Sequence, residues 1–80
     1  MLSTRNLIYK NLIQYGDCEL VVNHNGYDRK VTIKCATKAT VKLFEDEKVT
    51  VKDFGKYLPA VDYVMETFDE IRVLKGVIYQ

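Results

Sequence analysis

The sequence predicts a small α+β domain in the order α-β-β-β-α-β, with two helices packed on one face of an antiparallel sheet. Three observations support this. The chain has 80 residues, which is room for a single domain over residues 1–80. Two strand-like segments flank an Asn-Gly pair, and the second of them alternates strictly, which predicts a hairpin. An apolar stripe in the second half, with steps of three and four residues, predicts a helix.

The composition excludes several classes of protein. With 48% apolar and 29% charged residues, the chain is globular rather than disordered. The net charge of +1, from 12 basic and 11 acidic residues, excludes a strongly basic nucleic-acid-binding protein and an acidic tail. No apolar run reaches the roughly 18 residues of a membrane span. Polar residues interrupt every apolar stretch of the N-terminal segment, so no signal peptide is expected.

The two cysteines are too few for a disulfide framework and indicate reduced thiols in a cytoplasmic protein. Lysine outnumbers arginine nine to three, and Asn, Ile and Tyr are plentiful. Because these residues have AT-rich codons, a low-GC bacterium or one of its phages or mobile elements is the expected source.

The first helix is predicted over residues 3–15. Ser3 or Thr4 can cap its start, and Gly16 suits the left-handed residue that ends a helix. At about 100° per residue one sector of this helix is apolar and Asn11 falls outside it. The residues of that sector are Leu2, Ile8, Tyr9, Leu12 and Ile13.

The hairpin is predicted from segments 18–23 and 30–35, and two turns are compatible with it. A type I′ turn at Asn25 and Gly26 pairs Leu20 with Val31, whereas a type II′ turn one residue later pairs Cys18 with Cys35. Either register places the same side chains in the core: Cys18, Leu20, Val22, Val31, Ile33 and Cys35. The cysteines are therefore expected in the core, since a disulfide needs the second register and an oxidising compartment.

Residues 40–44 alternate and are predicted as a third strand, with a connection at 45–48. The segment 50–69 is predicted as a helix from the stripe Val51, Phe54, Leu58, Val61, Met65 and Phe68. Pro59 should bend this helix or split it. The alternative is a short strand that runs from Lys48 through Thr50 and Val51. Residues 71–79, rich in β-branched side chains, are predicted as the last strand.

The order α-β-β-β-α over residues 3–69 is similar to that of double-stranded-RNA-binding domains and of small toxin ribonucleases. The resemblance is one of topology. The RNA-binding domains open their second helix with a lysine cluster, and here Lys52 and Lys56 stand at that turn with Asp53 between them. The Gly-Ser/Thr-His signature of the ribonucleases has no counterpart at residues 22–26. Fold order alone does not assign a function.

Charge is divided along the chain, with +4 in residues 1–44 and −3 in residues 45–80. Four acids are expected in the C-terminal half of the second helix, with Tyr63 exposed among them: Asp62, Glu66, Asp69 and Glu70. An exposed tyrosine among carboxylates is typical of a contact for a larger protein with a basic surface. Tyr27 and Arg29 at the hairpin tip are a predicted second contact. The first hypothesis is therefore a small non-catalytic protein-binding module, an adaptor or inhibitor.

The alternative hypothesis is a nucleic-acid-binding domain. Its lysines lie on the outward side of the predicted sheet, at Lys30, Lys34, Lys38 and Lys42. Catalysis, cofactors and metals are not expected, because the chain has one histidine, no clustered Cys/His ligands and no glycine-rich phosphate loop. His24 as a lone general base for RNA cleavage is the remaining catalytic interpretation.

Overall fold

Alternating apolar and polar residues form one antiparallel sheet of five strands, and two helices accompany it. The computed structural model describes residues 3–74. The elements in chain order are α1 (Thr4–Tyr15), β1 (Asp17–His24), β2 (Tyr27–Cys35), β3 (Ala39–Glu45), β4 (Lys48–Phe54), α2 (Tyr57–Thr67) and β5 (Asp69–Val73). The strands lie side by side in the order β4-β3-β2-β1-β5. The predicted α+β class with an antiparallel sheet is confirmed, with one strand more than the sequence predicted.

The β1–β2 hairpin turns at Asn25 and Gly26. Both residues have positive φ, 56° and 84°, as a type I′ turn requires. Leu20 therefore lies opposite Val31, and Cys18 lies opposite Ile33. The first of the two predicted registers is thus correct. The two cysteines form no disulfide with each other, and Cys18 is buried and Cys35 half-buried.

Helix α1 begins and ends where the sequence predicts. The Ser3 hydroxyl accepts a hydrogen bond from the Asn6 backbone N–H at 3.2 Å, and Gly16 ends the helix at φ 77°. The predicted apolar sector was wrong in two places, because Ile13 is 75% exposed and Asn11 is buried. Asn11 tolerates burial in part because its side-chain amide donates to the Leu7 carbonyl at 2.9 Å.

The predicted helix over 50–69 was wrong in its first part. Residues 48–54 form strand β4, paired along its whole length with β3, so that the alternative of a strand from Lys48 is correct. Thr50 and Asp53 belong to this strand and cap no helix. The extra strand also departs from the α-β-β-β-α order shared with double-stranded-RNA-binding domains.

Pro59 does not bend or split a helix, since α2 begins only at Tyr57. Pro59 is therefore the third residue of the first turn, where a backbone N–H has no acceptor within the helix. Its missing N–H costs no hydrogen bond at this position, and its fixed φ suits a helix start.

Strand β5 pairs with β1 and is shorter than the predicted strand. The predicted residues 75–79 lie outside the described residues. The register shifts between Val21 and Asn23, and Glu70 has a positive φ of 48°. This irregularity lies at the start of β5, immediately after α2.

Both helices pack on one face of the sheet, as predicted: α1 contacts β1 and β5, and α2 contacts β3 and β4. The core between the layers is formed by inward residues of β1, β2 and β3 together with Ile8 and Leu12 from α1 and Ala60, Val61 and Val64 from α2. The opposite side of the sheet, called the outer face below, is covered by no element of residues 3–74.

We predict that Gly26→Ala lowers the free energy of unfolding by about 1 kcal/mol. At φ 84° the Cβ of an alanine is crowded by the carbonyl oxygen of its own adjoining peptide group, although no other part of the chain is near it. Urea unfolding measures the change. Gly55→Ala is the matched control, since a Cβ at either glycine meets nothing within 4 Å and Gly55 has no positive φ. Equal effects of the two substitutions would contradict the strained-turn explanation.

Candidate functional site

Tyr63 is not exposed among carboxylates, and this part of the predicted acidic contact was wrong. Its ring packs against Phe54 and Phe68 at centroid distances of 5.4 and 6.3 Å. The Lys52 ammonium lies over the same ring, 4.8 Å from its centroid. Because 48–54 is a strand, α2 is rotated relative to the predicted stripe, and Tyr63 faces β4 instead of solvent.

The four predicted acids are not gathered on one helix. Asp62 forms an ion pair with Arg5 of α1, and this carboxylate raises the pKa of the guanidinium. Asp69 and Glu70 belong to β5, and only Asp62 and Glu66 are in α2. Glu66, Asp69 and Glu70 are all exposed around the end of α2. Their role in binding stays a prediction.

The hairpin tip presents one of its two predicted contact residues. Tyr27 is exposed, and the Arg29 guanidinium lies 5.1 Å from its ring centroid. The Arg29 side chain itself is largely buried and donates from Nη1 to Asp46 at 3.2 Å. Asp46 lies in the β3–β4 turn, so Arg29 ties the tips of the two hairpins together. Arg29 therefore has a structural role, whereas Tyr27 is free to contact a partner.

The outer face carries an apolar patch that the sequence analysis missed, formed by Phe44, Val49 and Val51. Phe44 lies directly opposite Val49, and Val51 is the next outward residue of β4. These side chains are 37%, 51% and 53% exposed. Alternating residues in segment 48–54 do predict a strand, but the apolar stripe of helical spacing in the same segment favours a helix.

Lysines border this apolar patch on the side of β2 and β3. Lys30 lies opposite Phe44 in the β2–β3 register, with its ammonium 6.0 Å from the ring centroid. Lys42 lies opposite Val51 in the β3–β4 register. The patch is therefore an apolar centre with cations in adjoining positions.

Several cations of the outer face are already paired with acids. Lys30 lies 3.9 Å from Glu19, Lys38 lies 3.1 Å from Asp53, and Arg72 lies 3.1 Å from Asp28. Asp17 also lies opposite Lys34 in the register of β1 and β2. Positive and negative groups thus alternate over this face, and the four predicted lysines do not form a continuous basic surface.

A concavity of about 260 Å³ opens on the outer face where β2 turns into β3. We call it the corner concavity, lined by Thr32, Lys34, Ala36, Thr37, Lys38, Thr40 and Lys42. Asp53 adjoins it and accepts from the Thr40 hydroxyl at 2.9 Å. This hydrogen bond, together with Lys38, holds the pKa of the Asp53 carboxyl below its ordinary value. Asp53 is therefore a carboxylate at neutral pH.

A second concavity, of about 240 Å³, lies near the start of α2 and is lined by Cys35, Gly55, Tyr57 and Leu58 among others. Burial raises the pKa of the Cys35 thiol, which makes it a poor nucleophile. His24 packs edge-on against Phe68 with ring centroids 5.3 Å apart. Residues 3–74 contain no group of three side chains that could hold a metal ion.

Comparison with protein-family models, with curated protein sequences and with solved structures found no match for this chain. Within the described residues, neither helix has the length and apolar character needed to cross a bilayer.

We predict that Tyr63→Ala lowers the free energy of unfolding by about 2 kcal/mol, because it removes an aromatic ring packed between two others. Thermal or urea unfolding measures the loss. Tyr27→Ala, at an exposed tyrosine, serves as the control and should change stability by no more than about 0.5 kcal/mol. Similar small losses at both positions would place Tyr63 on the surface after all.

We predict that Thr40→Val raises the pKa of Asp53 toward its ordinary value of 3.8, because the hydroxyl that donates to the carboxylate is lost. The carboxyl ¹³C chemical shift, followed through an acid titration, measures this pKa. The stabilisation of the folded state by this hydrogen bond is present above pH 3.8 and is lost as the pH falls through the lowered pKa.

Thr32→Val is the control for this titration, since Thr32 lies on the same face and makes no hydrogen bond to Asp53. An unchanged pKa in Thr40→Val would show that Lys38 alone lowers it.

Proposed function

We propose that this chain is a protein-interaction module, an adaptor or inhibitor, that binds its partner through the outer face of the sheet. The observation that supports the proposal is the apolar patch. Three adjoining large side chains stay exposed on a sheet face that no described element covers. Exposed apolar groups with a polar border are typical of protein-binding surfaces.

A partner gains binding energy from covering the apolar patch. Burying a whole Val or Phe side chain contributes about 1.5–3 kcal/mol. Val49 and Val51 are each about half exposed, so covering either one contributes about 1 kcal/mol to the binding free energy. Phe44 adds a ring whose position is already restrained between Lys30 and Val49. A restrained anchor loses little side-chain entropy on binding.

The charges beside the apolar patch indicate an acidic partner surface. Lys42 occupies the cross-strand position next to Val51 and, unlike Lys30, forms no ion pair with a carboxylate of residues 3–74. A carboxylate of a partner placed beside its own apolar side chain would face this ammonium group. The predicted basic partner, which depended on an acidic helix face with Tyr63 at its centre, is therefore replaced in this proposal by an acidic one.

A protein partner fits the outer face better than a nucleic acid does. Binding of phosphates needs cations that are free to release counterions. Here Lys30, Lys38 and Arg72 already have carboxylates within 3.9 Å, and those acids would repel a phosphate backbone. A compartment with reduced thiols, such as the cytoplasm, is part of the proposal because Cys18 and Cys35 are not joined by a disulfide.

The test begins with a random peptide display library selected on the wild-type protein. We expect the selected peptides to place Asp or Glu beside apolar residues. The double variant Val49→Thr, Val51→Thr keeps the shape and the β-branching of both side chains and replaces two methyl groups with hydroxyls. This variant should bind the selected peptides about tenfold more weakly, since each buried methyl group contributes about 0.8 kcal/mol to the binding free energy.

The control variant is Glu66→Gln with Asp69→Asn, which removes charge from the predicted acidic contact and should leave peptide affinity unchanged. Amide NMR spectra establish that both variants remain folded. Peptides that lose affinity in the control and not in the double valine variant would overturn the proposal in favour of the acidic residues. Labelled DNA or RNA that binds, with affinity falling steeply as salt is added, would favour the nucleic-acid alternative.

A further inference from the structure

The corner concavity adjoins the apolar patch on the same face of the sheet. Lys42 belongs to both, because it lines the concavity and lies opposite Val51. A partner that covers the apolar patch therefore brings its neighbouring side chains to this opening. Its volume of about 260 Å³ is sufficient for one short polar side chain and small for a drug-sized ligand.

The rim of the concavity already shows how this chain holds a carboxylate. Asp53 accepts from the Thr40 hydroxyl at 2.9 Å and from the Lys38 ammonium at 3.1 Å. One hydroxyl and one ammonium thus both favour the charged form of this carboxyl and lower its pKa. The same two kinds of donor recur around the concavity at Thr32, Thr37, Lys34 and Lys42.

Lys34 and Lys42 differ from Lys38 because neither ammonium forms an ion pair with a carboxylate of residues 3–74. Asp17 lies opposite Lys34 across β1 and β2, whereas Lys42 lies between Thr32 and Val51 and has no acid at either cross-strand position. We infer that the corner concavity binds a carboxylate side chain, Asp or Glu, of the partner protein, held by Lys34 and Lys42. This inference rests on the proposed function, since it assigns a charged contact to the same docking face.

A carboxylate suits the concavity better than a phosphate group. Lysine binds phosphate as well as carboxylate, but phosphate sites gain further from the planar fork of arginine or the N–H groups at a helix start, and the lining residues include neither of these. Asp53 remains ionised beside the opening and repels a doubly charged phosphate more strongly than a singly charged carboxylate. Phosphate is therefore the competing ligand that the experiment must distinguish.

The experiment titrates isotopically labelled protein with acetyl-Phe-Glu-Glu-Phe-amide, its Gln-Gln counterpart and inorganic phosphate, each up to about 10 mM. NMR signals of the lysine Cε groups report on the concavity, and valine methyl signals report on the apolar patch. We expect the Glu peptide to shift Lys34, Lys42 and the two patch valines, and to bind more tightly than the Gln peptide. Lys34→Gln with Lys42→Gln should weaken the Glu peptide about fivefold and leave the Gln peptide unaffected.

Lys10→Gln with Lys56→Gln is the matched control, because it removes the same charge from exposed lysines that do not line the corner concavity. An equal loss in this variant would reduce the effect to net charge and overturn the inference. Phosphate that shifts Lys34 and Lys42 at lower concentration than the Glu peptide would also overturn it, as would lysine signals that no ligand moves.

The two proposals fail in different ways. Shifts at Val49 and Val51 without shifts at Lys34 and Lys42 would support docking on the outer face and contradict the carboxylate site. Lysine shifts without valine shifts would keep a carboxylate site and contradict the apolar patch as the docking surface. NMR signals that shift at neither the lysines nor the valines would overturn both proposals.

Discussion

The two-residue turn at Asn25 and Gly26 fixes the register of β1 with β2, and the orientation of every neighbouring strand follows from it. With Leu20 opposite Val31, the even residues of β1 and the odd residues of β2 share the core face. The antiparallel pairing of β3 with β2 extends the same face across the sheet. A slip of one residue would turn each apolar set outward, so the turn geometry decides which residues are available for binding.

A chain of this size has enough helix to cover only one side of its sheet. Both helices lie over the core face, joined by the ion pair between Arg5 and Asp62 and by the edge contact of Tyr9 with Tyr57. The outer face must then be compatible with solvent, and threonine and lysine meet that requirement over β2 and β3. The apolar side chains of β4 do not meet this requirement, and β4 is therefore the strand that indicates binding on the outer face.

The sequence predicts the hairpin, α1 and β3 because their signals are local and agree with one another. Residues 48–61 carry two incompatible signals. Their apolar residues alternate as in a strand up to Val51, and Val51, Phe54 and Leu58 also match helical spacing. Pairing with β3 along all seven residues decides for the strand. The sequence hides this hairpin because its two-residue connection, Asp46 and Glu47, lacks the Asn-Gly type of pair that marks the first one. The error at β4 also misplaced Tyr63, so the candidate site was less predictable than the fold.

The charges of β4 favour an approach of the proposed partner to the face of the sheet over an approach to its edge. β4 is the outermost strand, and its free edge could in principle pair with a strand of another chain. Lys48, Lys52 and Asp53 lie on this strand, and charged residues on an edge oppose such pairing. Threonine also has a high β propensity, so strand formation does not itself require the apolar surface that the valines at positions 49 and 51 leave exposed. The exposed half of each side chain gains energy only when another surface covers it, and docking on the outer face would supply that cover.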